Sequence, residues 1–347
     1  MKRIRDNNPR SNGFKFCILT LFLAACVFYS LSVGIPELGL TKLFRFIINS
    51  VCSHAVSYEE RVIFLDIRLP RTLLAMIAGS GLALAGTGTQ AVLCNPLVSP
   101  SILGLSSGAS LGASFAILFS APLGIDQKFL FLICCAFSGA MLATLLCCFF
   151  AFFRQSSQET IVLAGIAVSY IFSGIMIFMQ YHAPYVELRN ILFWSVGSLW
   201  NADWNNIFIL SPAVLIGFLL LYPFSLQLDS LIHGEEFSLS VGVNVKLLRS
   251  YVLLLSALVC SFIVAFTGAI GFIGLLAPHI ARTLFGLNHR QLIPASMLIG
   301  AFLLLFSDML AKIILWPEEL PVGAMTSMIG GPFFLYLLIK RKQNWWI

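Results

Sequence analysis

Charge is what this 347-residue sequence has least of. Asp, Glu, Lys and Arg together make up 10% of it, against 59% hydrophobic residues and a mean hydropathy of +0.93. That balance excludes a water-soluble globular domain and intrinsic disorder alike. A membrane helix uses about 20 apolar residues, so the hydrophobic supply furnishes roughly ten spans with little left for a separate core. The absences continue inside the apolar runs. Residues 72–125, 160–181 and 204–228 contain no Asp, Glu, Lys or Arg except the terminal Arg71 and Asp126 flanks outside them. Carriers and pumps coupled to protons or sodium place acidic relays at mid-membrane, and these runs offer none.

Catalytic and metal-binding patterns are missing too. There is no His-Glu-x-x-His, no paired His/Asp cluster and no Cys pair at metal spacing among the nine cysteines, so no catalytic residue, metal ligand or cofactor is expected. Most of the cysteines, among them Cys17, Cys26, Cys134, Cys135, Cys147, Cys148 and Cys260, lie in apolar runs and read as small hydrophobes. Only Cys52 is expected to face an oxidising compartment, and one thiol closes no intramolecular bridge. The dipeptide Gly-Lys occurs nowhere, which excludes a P-loop and with it ATP hydrolysis by the usual route. A bundle that moves a solute without ion coupling or its own ATPase must import its driving energy.

What is present reads as an all-α polytopic membrane protein. Ten spans are expected at about 14–34, 69–91, 101–121, 129–153, 160–182, 203–222, 248–267, 270–285, 291–312 and 322–340. The first is an uncleaved span, because its apolar stretch is long and no cleavage site follows it before Pro36. Ten spans put both termini on one side. That side carries 13 of the 21 Lys and Arg residues, including Lys2, Arg3, Arg5, Arg10, Lys15, Arg154, Arg341 and Lys342. By the positive-inside rule both termini are then cytoplasmic. The formal charge of +6 is a signature of orientation and needs no nucleic-acid partner.

Between the spans, residues 35–68 form a long outer segment whose amphipathic part after Pro36 is expected to lie along the membrane surface. The outer piece 184–203 carries Trp194 and Trp200, with Trp204 just beyond, as an interfacial belt. Residues 223–247 are the one sizeable inner loop, and Asp229, Glu235 and Glu236 stand out on an otherwise basic face. Gly104, Gly108 and Gly112 recur at intervals of four, as do Gly79 with Ala83 and Gly81 with Ala85; close helix packing is the expected use. Gly268, Gly271 and Gly274, followed by Pro278, suggest a short or bent helix.

Four stretches carry a resemblance. RLPRTLLAMIAGSGLALAGTGTQAVLCNPLVSPSILGLSSGAS (68–110), LIHGEEFSLSVGVNV (231–245), GAIGFIGLLAPHIARTLFGLNHRQLIP (268–294) and ELPVGAMTSMIGGPFFLYLLIK (319–340) resemble the membrane permease of iron-chelate and cobalamin ABC importers, in order and over nearly the whole chain. The resemblance implies a single permease domain over 1–347 in a bacterial cytoplasmic membrane. It implies dimerisation with a copy or paralogue, two ATP-binding cassette subunits, and an extracytoplasmic substrate-binding protein. It places the ATPase-coupling segment at Leu231–Val245, with Gly234 as the turn and Glu235 and Glu236 meeting the ATPase; His233 departs from the usual residue type there. It places the outer dock at Arg68, Arg71 and Lys312, which the extended entry favoured by Pro70 would present to water. Asn95 and Pro96 match the family's inner turn. The fifth and tenth spans would line the conduit, with Ser169, Ser173, Thr326 and Ser327 as sparse polar groups. A ferric siderophore or similar iron chelate is the leading cargo, with haem and cobalamin as alternatives, and a self-contained carrier or channel as the reading from another class.

Overall fold

The computed structural model describes residues 9–33, 40–51, 57–153, 158–315 and 317–340. Lys2, Arg3, Arg5, Pro36, Cys52, Arg154, Arg341 and Lys342 lie outside them. Among the described residues the chain is helical throughout, with no strand. The helices are α1 (Pro9–Ser32), α2 (Leu40–Val51), α3 (Tyr58–Arg61), α4 (Leu69–Val92), α5 (Leu105–Phe119), α6 (Lys128–Phe153), α7 (Gln158–Tyr181) and α8 (Tyr185–Val196). They continue as α9 (Trp204–Leu221), α10 (Ser225–Leu231), α11 (Glu235–Ser240), α12 (Val245–Thr267), α13 (Ile273–Phe285), α14 (His289–Ile314) and α15 (Val322–Lys340).

Six helical stretches are long and apolar enough to cross a membrane: Asn12–Ser32, Lys128–Phe150, Gln158–Tyr181, Trp204–Leu231, Val245–Thr267 and His289–Ile314. Leu105–Phe119, Ile273–Phe285 and Val322–Tyr336 are shorter apolar helices. The chain is thus a multi-pass helical membrane protein. Polar side chains fix several starts: Asp203 accepts from the Asn206 amide (2.8 Å) at α9, Asn244 from the Leu247 amide (3.1 Å) at α12, and Asn288 from the Arg290 amide (2.9 Å) at α14. Each satisfies an amide that has no carbonyl partner in the first helical turn.

The centre of the bundle is α4, sheathed by α9, α12, α13 and α14. Gly, Ser, Thr and Gln interrupt its apolar sequence. Those residues are what its position requires. A Cβ on Gly79 would overlap the Gly300 backbone of α14, and one on Gly86 would overlap the Gly274 backbone of α13. Thr87 and Thr89 return their hydroxyls to the carbonyls of Ala83 and Ala85 at 2.8 Å, so neither hydroxyl is stranded in the apolar interior. The antiparallel pair α5 and α6 packs the same way, with Gly108 against Gly139 and Gly112 against Cys135.

Two expectations are corrected and one outer segment gains detail. Gly104 lies outside its helix: it takes φ +79°, ψ 5° between a short 3₁₀ turn at Pro100–Leu103 and α5, so only Gly108 and Gly112 share the packing face. The entry to α4 is not extended. A π-helical turn, Val62–Arg68, runs straight into α4, and Pro70 sits in the first turn of α4. The outer piece 184–203 contains a helix, α8, between Pro184 and Gly197.

Candidate functional site

Helices alternate in direction, so one end of the bundle carries α8 and the start of α4 while the other carries α10 and α11. At the α10–α11 end, the chain leaves α9 through a 3₁₀ turn at Tyr222–Phe224 and folds into a helical hairpin. Gly234 turns it with φ +105°, ψ 162°, a conformation open to glycine. Ser238 donates to the Gly234 carbonyl (3.0 Å) and meets Ser230 at 3.1 Å, closing the hairpin on itself. A carboxylate–imidazole contact and an ion pair tie it down. Asp229 accepts from the backbone amide of His289 (2.8 Å) and contacts its Nδ1 (2.6 Å) at the start of α14. Glu235 pairs with Arg249 of α12.

The two glutamates therefore differ. Glu235, half-exposed, spends one carboxylate oxygen on Arg249, whereas Glu236 is exposed beside Phe237, Leu239 and Val241, all exposed as well. The buried guanidinium gives Glu235 a charge-assisted bond within the chain. Arg249 was not legible as a site residue; its sole signal was a cation within one turn and a half of a helix start, facing an acidic pair fourteen residues earlier. Cys94 also meets this corner, its thiol 3.8 Å from the Leu231 carbonyl, and burial pushes that thiol up. It closes α4 with φ +43°: the Asn95 amide returns to the Gln90 carbonyl (3.1 Å) and the Cys94 amide to Ala91 (3.2 Å), a Schellman ending. Asn95 then accepts from the Leu97 amide at 3.0 Å, so this turn is explained by helix termination.

At the α8 end, the three expected docking cations are not presented to water. Arg71 donates through Nε (3.0 Å) and an Nη (2.9 Å) to one oxygen of Asp308, and through its other Nη to Glu319 (2.6 Å). Lys312 reaches the second Asp308 oxygen at 2.6 Å in the i,i+4 geometry expected of that pair. Asp308 has no exposed surface and Glu319 is 30% exposed. Arg68 is buried too, bonded to the Leu31 carbonyl and stacked over Phe64 at 5.2 Å. The physical reason is compensation: two cations and two carboxylates, 237 and 248 residues apart in sequence for the Arg71 contacts, close a neutral group inside the bundle.

The candidate conduit residues divide. Ser169 and Ser173 on α7 are half-buried and Ser327 on α15 is exposed, but Thr326 is 2% exposed. Thr326 falls on the face of α15 with Val322 and Met325, so it points into the chain and is removed from the lining of any single-chain surface. The hydroxyls of Ser169 and Ser327 donate to the carbonyls of Gly165 and Gly323 at 2.8 Å, which leaves a weakly polar surface. The start of α15 is tied to α8 and to the link before α13. The Gly323 amide donates to Gly197 (3.2 Å), and the Ser198 amide to Thr267 (2.8 Å). Phe272, at φ +66°, lays its ring where a Cβ on Gly330 would stand. An open cavity of about 800 Å³ lies beside α8, bordered by Lys128, Glu187, Arg189, Asn190 and Trp194; its mixed charges select no single sign of ligand.

Residues 21–340 match the FecCD transport family. The chain is 36% identical to the Fe(3+) dicitrate transport system permease protein FecD of Escherichia coli strain K12, over 93% of this chain and 98% of that protein. It is 36% identical to the hemin transport system permease protein HmuU of Yersinia pestis, over 90% and 93%. It is 33% identical to the iron(3+)-hydroxamate import system permease protein FhuG of Bacillus subtilis strain 168, over 93% and 96%. Its fold matches a solved metal-chelate type ABC transporter in an inward-facing conformation, with a TM-score of 0.80 and 30% identity over 93% of this chain and 98% of that one.

Proposed function

The chain belongs to the FecCD transport family, and from that premise we propose that it is the permease subunit of an ATP-driven importer for a ferric siderophore or similar iron chelate. The names of its relatives support the cargo class: a dicitrate, a hemin and a hydroxamate permease. In this reading ten helices cross a bacterial cytoplasmic membrane with both termini inside. The chain forms one permease unit, pairs with a copy or paralogue, and takes its energy from two separate ATP-binding cassette subunits.

The observation that carries the reading is the α10–α11 hairpin. It is anchored to α12 by the Glu235–Arg249 ion pair and to α14 by the hydrogen bonds of Asp229 with His289, while Glu236, Phe237, Leu239 and Val241 remain exposed, an acidic and apolar edge suited to an ATPase cleft. The conduit would run between two subunits along α7 and α15, past Ser169, Ser173 and Ser327. The Ser169 and Ser327 hydroxyls, already bonded within their helices, would bind a large chelate weakly, and transport needs binding weak enough to release. At the outer face we assign the binding protein to the ends of α4 and α14. There a partner's acidic residue would reach Arg71 by displacing Glu319, the partly exposed member of the cluster, with Arg68 and Lys312 behind it.

The test is uptake of radioactive iron into liposomes holding the chain, its ATPase and its binding protein, with ferric citrate, a ferric hydroxamate and haem offered in turn. ATP-dependent accumulation of one of them is the expected result. Accumulation by the purified chain without ATP would instead make it a self-contained carrier or channel.

A further inference from the structure

Arg249 lies one turn into α12 and is 5% exposed. Besides pairing with Glu235 at the start of α11, it donates through Nε to the carbonyl oxygen of Val92 at 3.2 Å. That acceptor is singular. In a continuing helix the Val92 carbonyl would accept from the residue four further on, which is Pro96 and has no N–H. The last carbonyl of the central helix is thereby left for a side chain, and a cation there also complements the negative end of the helix dipole.

On its own α11 is a poor lever. It has six residues and is bracketed by Gly234 and Gly242, at φ +105° and +84°, with open space around both. Ser238 ties it to Ser230 of α10, so without a further tie a push on this segment would be taken up by the hairpin and its two glycine joints before it reached the central helix. A planar guanidinium that holds a carboxylate of α11 and a carbonyl of α4 at once removes that freedom, which an ammonium with one centre of charge does less well. The outer end of α4 is in turn fixed through Arg71 to Asp308 of α14 and to Glu319, three residues before α15.

We propose that Arg249 is a positioning residue that locks α11 to the inner end of α4 through Glu235 and the Val92 carbonyl, so that displacement of the hairpin by an ATPase is delivered to the central helix. The proposal rests on the permease reading above. It separates the roles of two neighbouring glutamates: Glu236 contacts the ATPase, and Glu235 transmits what that contact does.

The experiment uses the complete transporter in liposomes, recording ATP hydrolysis and uptake of radioactive iron in the same vesicles, with whichever of ferric citrate, ferric hydroxamate or haem the wild type accumulates. Glu235→Ala leaves Arg249 in place and alters a half-exposed side chain, so the subunit folds. Its ATP hydrolysis and co-purification with the ATPase should stay within about twofold of wild type, while uptake per ATP falls by about tenfold or more, the size of a lost coupling free energy. Glu235→Asp should restore most of the loss, and Arg249→Lys should reproduce part of it. Unchanged uptake per ATP in Glu235→Ala would overturn the proposal. So would a parallel fall of hydrolysis and uptake, the mark of a contact needed only for assembly. If the wild type shows no ATP-dependent uptake of any of the three, the permease reading fails first and this one with it.

Discussion

α4 and α7 have the same length, 24 residues each, and opposite surroundings. Three quarters of α4 is buried, whereas α7 buries only Ile161, Gly165, Val168 and Phe172. The more apolar of the two is the exposed one. In water that ordering would be reversed, since burial of apolar area drives folding. In a bilayer, lipid is as apolar as leucine, and helices associate through close packing instead. Bulk therefore marks the helix that faces lipid or a second subunit, and smallness marks the helix that faces protein on every side.

The hardest blow to the α4 side is Asp308→Ala. It leaves Arg71 and Lys312 buried without their shared carboxylate, and loss of one member of a buried ionic group costs about 3–5 kcal/mol. Thermal unfolding of the detergent-solubilised chain should show it as a large drop in Tm or as failure to express. An unchanged Tm would mean that Glu319 alone neutralises both cations.

A matched pair of glycine substitutions sharpens the contrast. Gly86→Ala forces a methyl group onto the Gly274 backbone, and overpacking of this kind costs about 1–3 kcal/mol. Gly174→Ala on α7 meets nothing within 4 Å and should stay within about 0.5 kcal/mol of wild type. Equal effects in the same unfolding assay would erase the distinction between the two helices.

Smaller effects are expected on the exposed face of α7. Replacing Leu163 or Phe178, both 66% exposed, by Ser should leave the stability of the isolated chain within about 0.5 kcal/mol but weaken subunit pairing on size-exclusion chromatography. A substantial loss of stability in the isolated chain would show that this face already has an internal partner. The finest probe is thiol labelling. Cysteines at Ser169, Ser173 and Ser327 should change reactivity between nucleotide states, and Thr326→Cys should stay protected in the resting state. Uniform reactivity of the first three throughout the cycle would remove them from the conduit.

Much of this was legible before any coordinates. Each apolar run named from sequence carries a helix. The short helix Ile273–Phe285 was legible from Gly268, Gly271, Gly274 and Pro278, and the Asp308–Lys312 contact from four-residue spacing. Illegible were the burial of Arg71, the pairing of Glu235 with Arg249 and the inward face of Thr326. Periodicity says which residues of one helix share a face, as Val322, Met325 and Thr326 do, but not what that face meets.

By itself the sequence determined that the chain is apolar enough for a membrane and holds no Gly-Lys dipeptide for a P-loop, because composition and short motifs act locally along the chain. It also determined where α4 ends, since Pro96 withholds a hydrogen bond four residues away. The tertiary structure alone decided who replaces that bond and who neutralises Asp308. Arg249 lies 157 residues from Val92, and Arg71 lies 237 from Asp308. Partners at such separations are chosen by the rotation and depth at which helices pack, and those are set by the sum of many close contacts between backbones, which no local spacing encodes.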